Sequence, residues 1–266
     1  MITKTMLRAT VISAVLSYSS FTQADGLSDL KEALKNLTGE APLSALVESY
    51  YTEKRGKKKK QKTKSGLIQV SLSESSHGFN LSYDQETLTK LDVESSEKEQ
   101  NEEAQTPTLN ALDGVGVDEM RNMLSAAPNL LRFINKAQFL NEESIEHDSQ
   151  KIRQLNFDLP LEAIIENKEV HEYVDDFSGK LHIKIDDQGV PIESSIFFEG
   201  NGSAYIFFSM DLTQSSQNFY TLVKDRLVNV KKTFEMKRSS TWGDTQSNGY
   251  KILIVNPTEL NTAANY

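Results

Sequence analysis

Eight basic side chains fall within eleven residues: Lys54, Arg55, Lys57, Lys58, Lys59, Lys60, Lys62 and Lys64. A polybasic cluster gains roughly 1 kcal/mol per cation beside an anionic lipid surface, within about a Debye length. Lysine supplies charge without the planar fork of arginine, so such a contact would recognise phosphate-bearing surfaces without fine specificity. Lys57, Lys58, Lys59 and Lys60 are the expected contacts. Two ordinary readings stand beside this one: a self-repelling tip that protects a sheet edge, or an internal partner for the acidic stretch Asp92 to Glu103. No aromatic residue interleaves the lysines, and 29 basic residues face 38 acidic ones for a formal net charge of −9. Nucleic acid is therefore not an expected partner.

Catalytic patterns are absent. His77, His147, His171 and His182 form no H-x-H or H-x-x-x-H pair, and His171-Glu172 lacks a second histidine four positions on. Without cysteines a transition-metal site would need histidines and carboxylates gathered from distant strands, and no metal ligand and no cofactor is nominated. Gly200-Asn201-Gly202-Ser203-Ala204 places serine one position late for a nucleophile elbow, and Gly114-Val115-Gly116 lacks the third glycine of a dinucleotide fingerprint. Asp175-Asp176 and Asp186-Asp187 are neighbours, which an extended chain points to opposite faces. Asp186-Asp187-Gln188-Gly189 reads as turn chemistry. No catalytic residue is nominated. A hydrolase built from remote carboxylates is the enzymatic rival, because two acids about 5 to 10 Å apart leave no signature in spacing.

The aromatic residues are more informative. Phe197-Phe198, Phe207-Phe208 and Phe219-Tyr220 are adjacent pairs, each placing one ring on either face of a strand. That is more apolar surface than a sheet with one wet face needs. Either helices cover the second face or an apolar or amphipathic ligand lies there. Phe198, Phe207 and Phe219 are the candidate lining residues. Trp242, in a Ser/Thr/Gly-rich connection, reads as folded over the sheet edge or as a partner anchor.

The elements that position these residues are mostly strands. Leu27, Leu30, Leu34 and Leu37 first mark a short helix, with Ser28 or Asp29 as its cap and Gly39 as its stop. Strands follow at Leu43 to Glu53 and Leu67 to Leu72, with the lysines at the tip between them, and at Phe79 to Tyr83. The stretch 92–108 holds six acidic residues against Lys98 alone, the composition of a flexible linker. A helical insertion is expected over about 109–135, with Pro128 opening its second helix. Strands then recur at Phe139 to His147, Lys151 to Asp158, Leu181 to Ile185, Val190 to Glu199, Ser203 to Leu212, Phe219 to Val223, Leu227 to Lys237 and Tyr250 to Val255. Gly200-Asn201-Gly202 supplies one turn and Asp225-Arg226 another. Short connections make successive strands antiparallel. The expected fold is α+β and mainly antiparallel β: a long curved meander, half-barrel-like, of about eleven strands with short helices packed on it.

The N-terminus carries Lys4 and Arg8, then the apolar run Ala9 to Leu16, then Thr22-Gln23-Ala24. This is the pattern of a secretory signal over residues 1–24, cut between Ala24 and Asp25. Residues 25–266 then form a single domain without a disulfide and without a second apolar span of membrane length. Export to the periplasm or the medium is expected. The function expected from these features is non-enzymatic: an envelope binding or accessory protein for a lipid or another amphipathic component. The sequence names no protein partner.

Overall fold

From Asp25 the chain forms α1 (Gly26–Asn36), β1 (Leu43–Arg55), β2 (Lys62–Ser75), β3 (Gly78–Ser82), α2 (Gln85–Gln100), α3 (Pro107–Leu112), α4 (Val117–Leu124) and α5 (Ala127–Lys136). It continues through β4 (Gln138–His147), β5 (Gln150–Asp158), α6 (Leu161–Ile164), α7 (Lys168–His171), β6 (Val174–Ile185), β7 (Pro191–Ala204), β8 (Phe208–Val223), β9 (Arg226–Ser240) and β10 (Gly243–Val255). The computed structural model describes residues 25–57, 61–147, 150–204 and 208–256. The expected signal segment with Ala24, Lys58 to Lys60, and Phe207 lie outside the described residues.

Ten antiparallel strands make one open sheet in the order β3-β2-β1-β10-β9-β8-β7-β6-β5-β4. The α+β meander expected from sequence is thus the fold. Among the described residues the strands number ten: Phe208 to Leu212 and Phe219 to Val223 lie on the two ends of one strand, β8, while Ser203 and Ala204 end β7. The polar run between them, Thr213 to Asn218, is paired on both sides. Gly200-Asn201-Gly202 is not a turn but the interior of β7. Glycine is required there by proximity: a Cβ on Gly202 would strike the carbonyl of Tyr173.

The α1 cap is Asp25, whose carboxylate accepts the Leu27 N–H at 3.1 Å, and not Ser28 or Asp29. Asp29 sits inside the first turn, where a carboxylate favours the helix dipole. The segment 92–108, expected as a linker, is helical as far as Gln100 and again from Pro107. No apolar stripe announces α2. Its start is held by Asp84, which accepts the Thr87 N–H at 2.7 Å, and by the Glu86–Lys90 pair one turn apart. Glu94, buried, accepts the N–H groups of Thr108 and Leu109 and so fastens α2 to the start of α3. Pro128 falls in the first turn of α5 as expected.

The helices cover one face of the sheet with two apolar cores. Under α1, α5 and α6, Leu30, Leu34, Leu130 and Ile134 meet Leu155, Phe157, Leu181 and Ile183. Under α3 and α4, Ala111, Met120 and Leu124 meet Val47, Ile68, Val70 and Leu253. Each fully buried side chain of this size is worth about 1.5–3 kcal/mol. Alternation along β1 puts Leu43, Ala45 and Val47 inward and leaves Ser44, Leu46 and Glu48 facing out.

Candidate functional site

Residues paired across a ladder share a face, so the register can be followed across the whole sheet. One row runs Leu155, Ile183, Ser194, Asn218, Lys232, Lys251, Ser49, Ile68, from β5 to β2 on the helix-covered face. Its ends belong to the two cores. Its middle is polar, and there the helices do not close over the sheet.

A cavity of about 450 Å³ remains above that polar middle. The corner between α4 and α5 forms its roof. Ser125 ends α4, and the Ala126 N–H donates to the Leu227 carbonyl at 2.8 Å, which pins the corner to β9. Met123, Leu130, Phe133, Ile164, Ile196 and Phe198 give apolar walls. Ser194, Asn218, Tyr220 and Asn229 give a polar floor. The Ser194 and Tyr220 hydroxyls are 2.6 Å apart, and the carboxamides of Asn218 and Asn229 meet at 2.9 Å. Burial raises the Tyr220 phenol above its ordinary pKa, so it stays a neutral donor and acceptor.

The charged end of the cavity is Glu119 of α4 with Lys232 of β9. Glu119 Oε1 accepts from Lys232 Nζ at 2.6 Å, and Glu119 Oε2 lies 3.0 Å from Lys251 Nζ. Burial pushes the Glu119 carboxyl up, but the two lysines pull it further down, below its ordinary value. Burial lowers Lys251; Glu119 opposes that shift and Lys232 adds to it. The Lys251 ammonium also lies 4.9 Å from the ring of Phe234, a cation–π contact. At the rim, Arg132 pairs with Glu166 at 2.6 Å, and Lys136, outside the cavity, reaches the same carboxylate at 3.3 Å.

Among the residues nominated from sequence, Phe198 stands in the apolar wall, 8 % exposed. Phe219 does not join it. The register sets Phe219 against Glu193 and Phe198 against Gln214, an odd offset along β7, so the two rings point to opposite faces. Phe219 lies on the uncovered face beside Lys231, 5.5 Å from its ring centre. That face carries a wide, shallow depression over Ser195, Ser215, Gln217 and Thr233. Phe198 and Phe219 therefore do not line one surface as expected; the cavity lining holds Phe198 together with Tyr220.

The basic hairpin is partly neutralised from within. Lys62 pairs with Glu103, Lys64 with Asp113 at 2.9 Å, and Arg55 with Glu53 at 3.2 Å. Lys57 is exposed. The Gly56 N–H donates to the Asp244 carbonyl at 2.9 Å, tying this tip to the β9–β10 tip that carries Trp242. Trp242 is not folded over the sheet edge but 83 % exposed. The 186–189 turn is built as expected: Asp186 accepts the N–H groups of Gln188 and Val190, and Gly189 has φ 81°. Among the described residues no group of three metal-ligating side chains converges, and no helix is long and apolar enough to cross a membrane.

Glu119, Lys232, Lys251, Asn218 and Asn229 are functional candidates that sequence reading missed. The four strand residues gave no signal, since polar residues alternating along a strand read as its wet face, and Glu119 reads as the polar face of a helix. A comparison with protein-family models and a search of curated proteins each found no match.

Proposed function

We propose that this chain is a non-enzymatic binding protein that holds an amphipathic molecule in the cavity between α4–α6 and β7–β9. The observation that supports this most directly is the cavity itself: apolar walls, a polar floor and a charged end around one half-open space of about 450 Å³. That volume is within the usual range for small-molecule sites. Among the described residues lining it, Glu119 is the single carboxylate, and it is engaged by two lysines. Acid–base hydrolysis would need a second acid about 5 to 10 Å away. A neutral naphthylamine dye that brightens in apolar surroundings tests the proposal. Saturable binding, displaced by lipid extract, is expected; absence of binding by the purified protein overturns it.

The same proposal includes export, with cleavage between Ala24 and Asp25. Such a cut leaves the Asp25 side chain in place as the α1 cap. N-terminal sequencing of the protein recovered from the envelope fraction tests this, and an intact Met1 there would refute it.

A second reading, peripheral contact with an anionic lipid surface, draws on the joined tips. Gly56 and Asp244 place exposed Lys57 and exposed Trp242 at the same end of the sheet, an interfacial aromatic beside cationic charge. Salt-sensitive co-sedimentation with phosphatidylglycerol vesicles should fall when Lys57 to Lys60 are replaced by glutamine. Unchanged sedimentation would exclude it.

A further inference from the structure

We infer that the molecule held in this cavity carries an anionic head group, seated against Lys232. The inference rests on the binding proposal above and specifies its ligand class. The observation behind it is a charge imbalance in a partly dry place. Lys232 and Lys251 share one carboxylate, Glu119, although Lys251 is almost wholly buried, its side chain 3 % exposed. Like charges set directly opposite across a ladder repel. Removing them from water costs more again, unless each has its own counter-charge. One carboxylate against two ammonium groups leaves a positive charge uncompensated. Arg132, which also lines the cavity, adds a further cation at its rim. This cationic cavity sits in a chain whose formal net charge is −9.

Geometry says where the missing negative charge belongs. Lys251 is behind the site, against Phe234, whereas Lys232 and Glu119 line the cavity. Lys232 has three donors and gives one to Glu119 at 2.6 Å. An anion beside Lys232 faces the polar floor of Asn218 and Asn229, which lines the same cavity. The apolar tail then lies along Phe198, Ile196 and Leu130. The ligand class is an alkyl chain ending in a carboxylate or phosphate.

The test is displacement of the neutral naphthylamine dye by three amphiphiles of one chain length: an alkyl carboxylate, the alcohol and the trimethylammonium. Inorganic phosphate alone is a fourth arm. The carboxylate is expected to compete about tenfold better than the alcohol, a difference of about 1.4 kcal/mol, and the cation worst. Lys232→Gln should abolish that preference, so that carboxylate and alcohol compete equally on the same variant. Arg132→Gln, on a different element, should reduce the preference partly. Failure of the dye to bind overturns the binding proposal as a whole. Equal competition by all three amphiphiles overturns the head-group inference alone. So does a preference that survives Lys232→Gln. Displacement by phosphate alone would show a free-anion site and overturn the amphiphile assignment.

Discussion

Lys232 and Lys251 stand directly opposite each other on β9 and β10 and direct their ammonium groups at the two oxygens of a single carboxylate, Glu119. The register forces the two cations together. The helix laid across that point of the sheet answers them: α4 does so with Glu119 of its first turn. The charged end of the cavity and the docking of α4 are therefore one feature.

Glu119→Gln should leave two facing lysines without a counter-charge and destabilise the protein by about 3 kcal/mol, measured by urea unfolding. The pH dependence has a fixed sign. Glu119 has its folded pKa below its unfolded one. Its contribution is thus fully present above the ordinary carboxylate range and is lost as pH falls through the folded value. The Glu119→Gln variant should lack that part of the acid-side decline. Equal declines in both proteins would contradict the pairing.

Arg226 ties three elements together. Its guanidinium pairs with Glu74 of β2 and donates to the carbonyls of Gly39 and Ala41 at 3.0 and 3.2 Å, while the residue is 3 % exposed. Gly39, at φ 64°, leaves the room the arginine occupies. Arg226→Met should cost about 3 kcal/mol in urea unfolding, because Glu74 and two carbonyls lose their donor. Arg226→Lys keeps the charge but not the fork, and should recover less than half of the loss.

Gly66→Ala tests how closely α3 lies on β2. An added methyl would run into the Pro107 carbonyl and the Ala111 nitrogen, both backbone atoms. The helix must lift as a whole, with a loss of about 2 kcal/mol. The shift should appear in hydrogen exchange as weakened protection of α3, with β8 and β9 unchanged.

Gln214→Trp should close the cavity without disturbing the fold. Gln214 lines the cavity, half-buried between Phe198 and Met236 on the neighbouring strands. Dye affinity should fall at least about tenfold while the thermal midpoint moves little. Undiminished binding would place the dye elsewhere, with the shallow depression of the uncovered face the next site to block.

What the chain's pattern determined is the class of fold. Period-two alternation and short connections are local properties, and they predicted an antiparallel meander with helices spliced into it. Pro128 and the Asp186–Gly189 turn were legible for the same reason: their chemistry acts within a few residues. The polar helix α2 was not, because Asp84 and Glu94 stabilise it by hydrogen bonds that composition does not reveal. Only the tertiary structure decided the site. In β10 both alternating sets are apolar, Ile252 and Ile254 against Leu253 and Val255, so sequence cannot choose the inner face. Pairing with β1 and β9 turns Lys251 inward and leaves Ile254 outside. The same arithmetic divides Phe198 from Phe219. A residue's face depends on register, and register depends on partners that can lie far away along the chain, as Lys251 does from Ser49. The cavity exists where those distant choices gather the polar residues under the corner of α4 and α5.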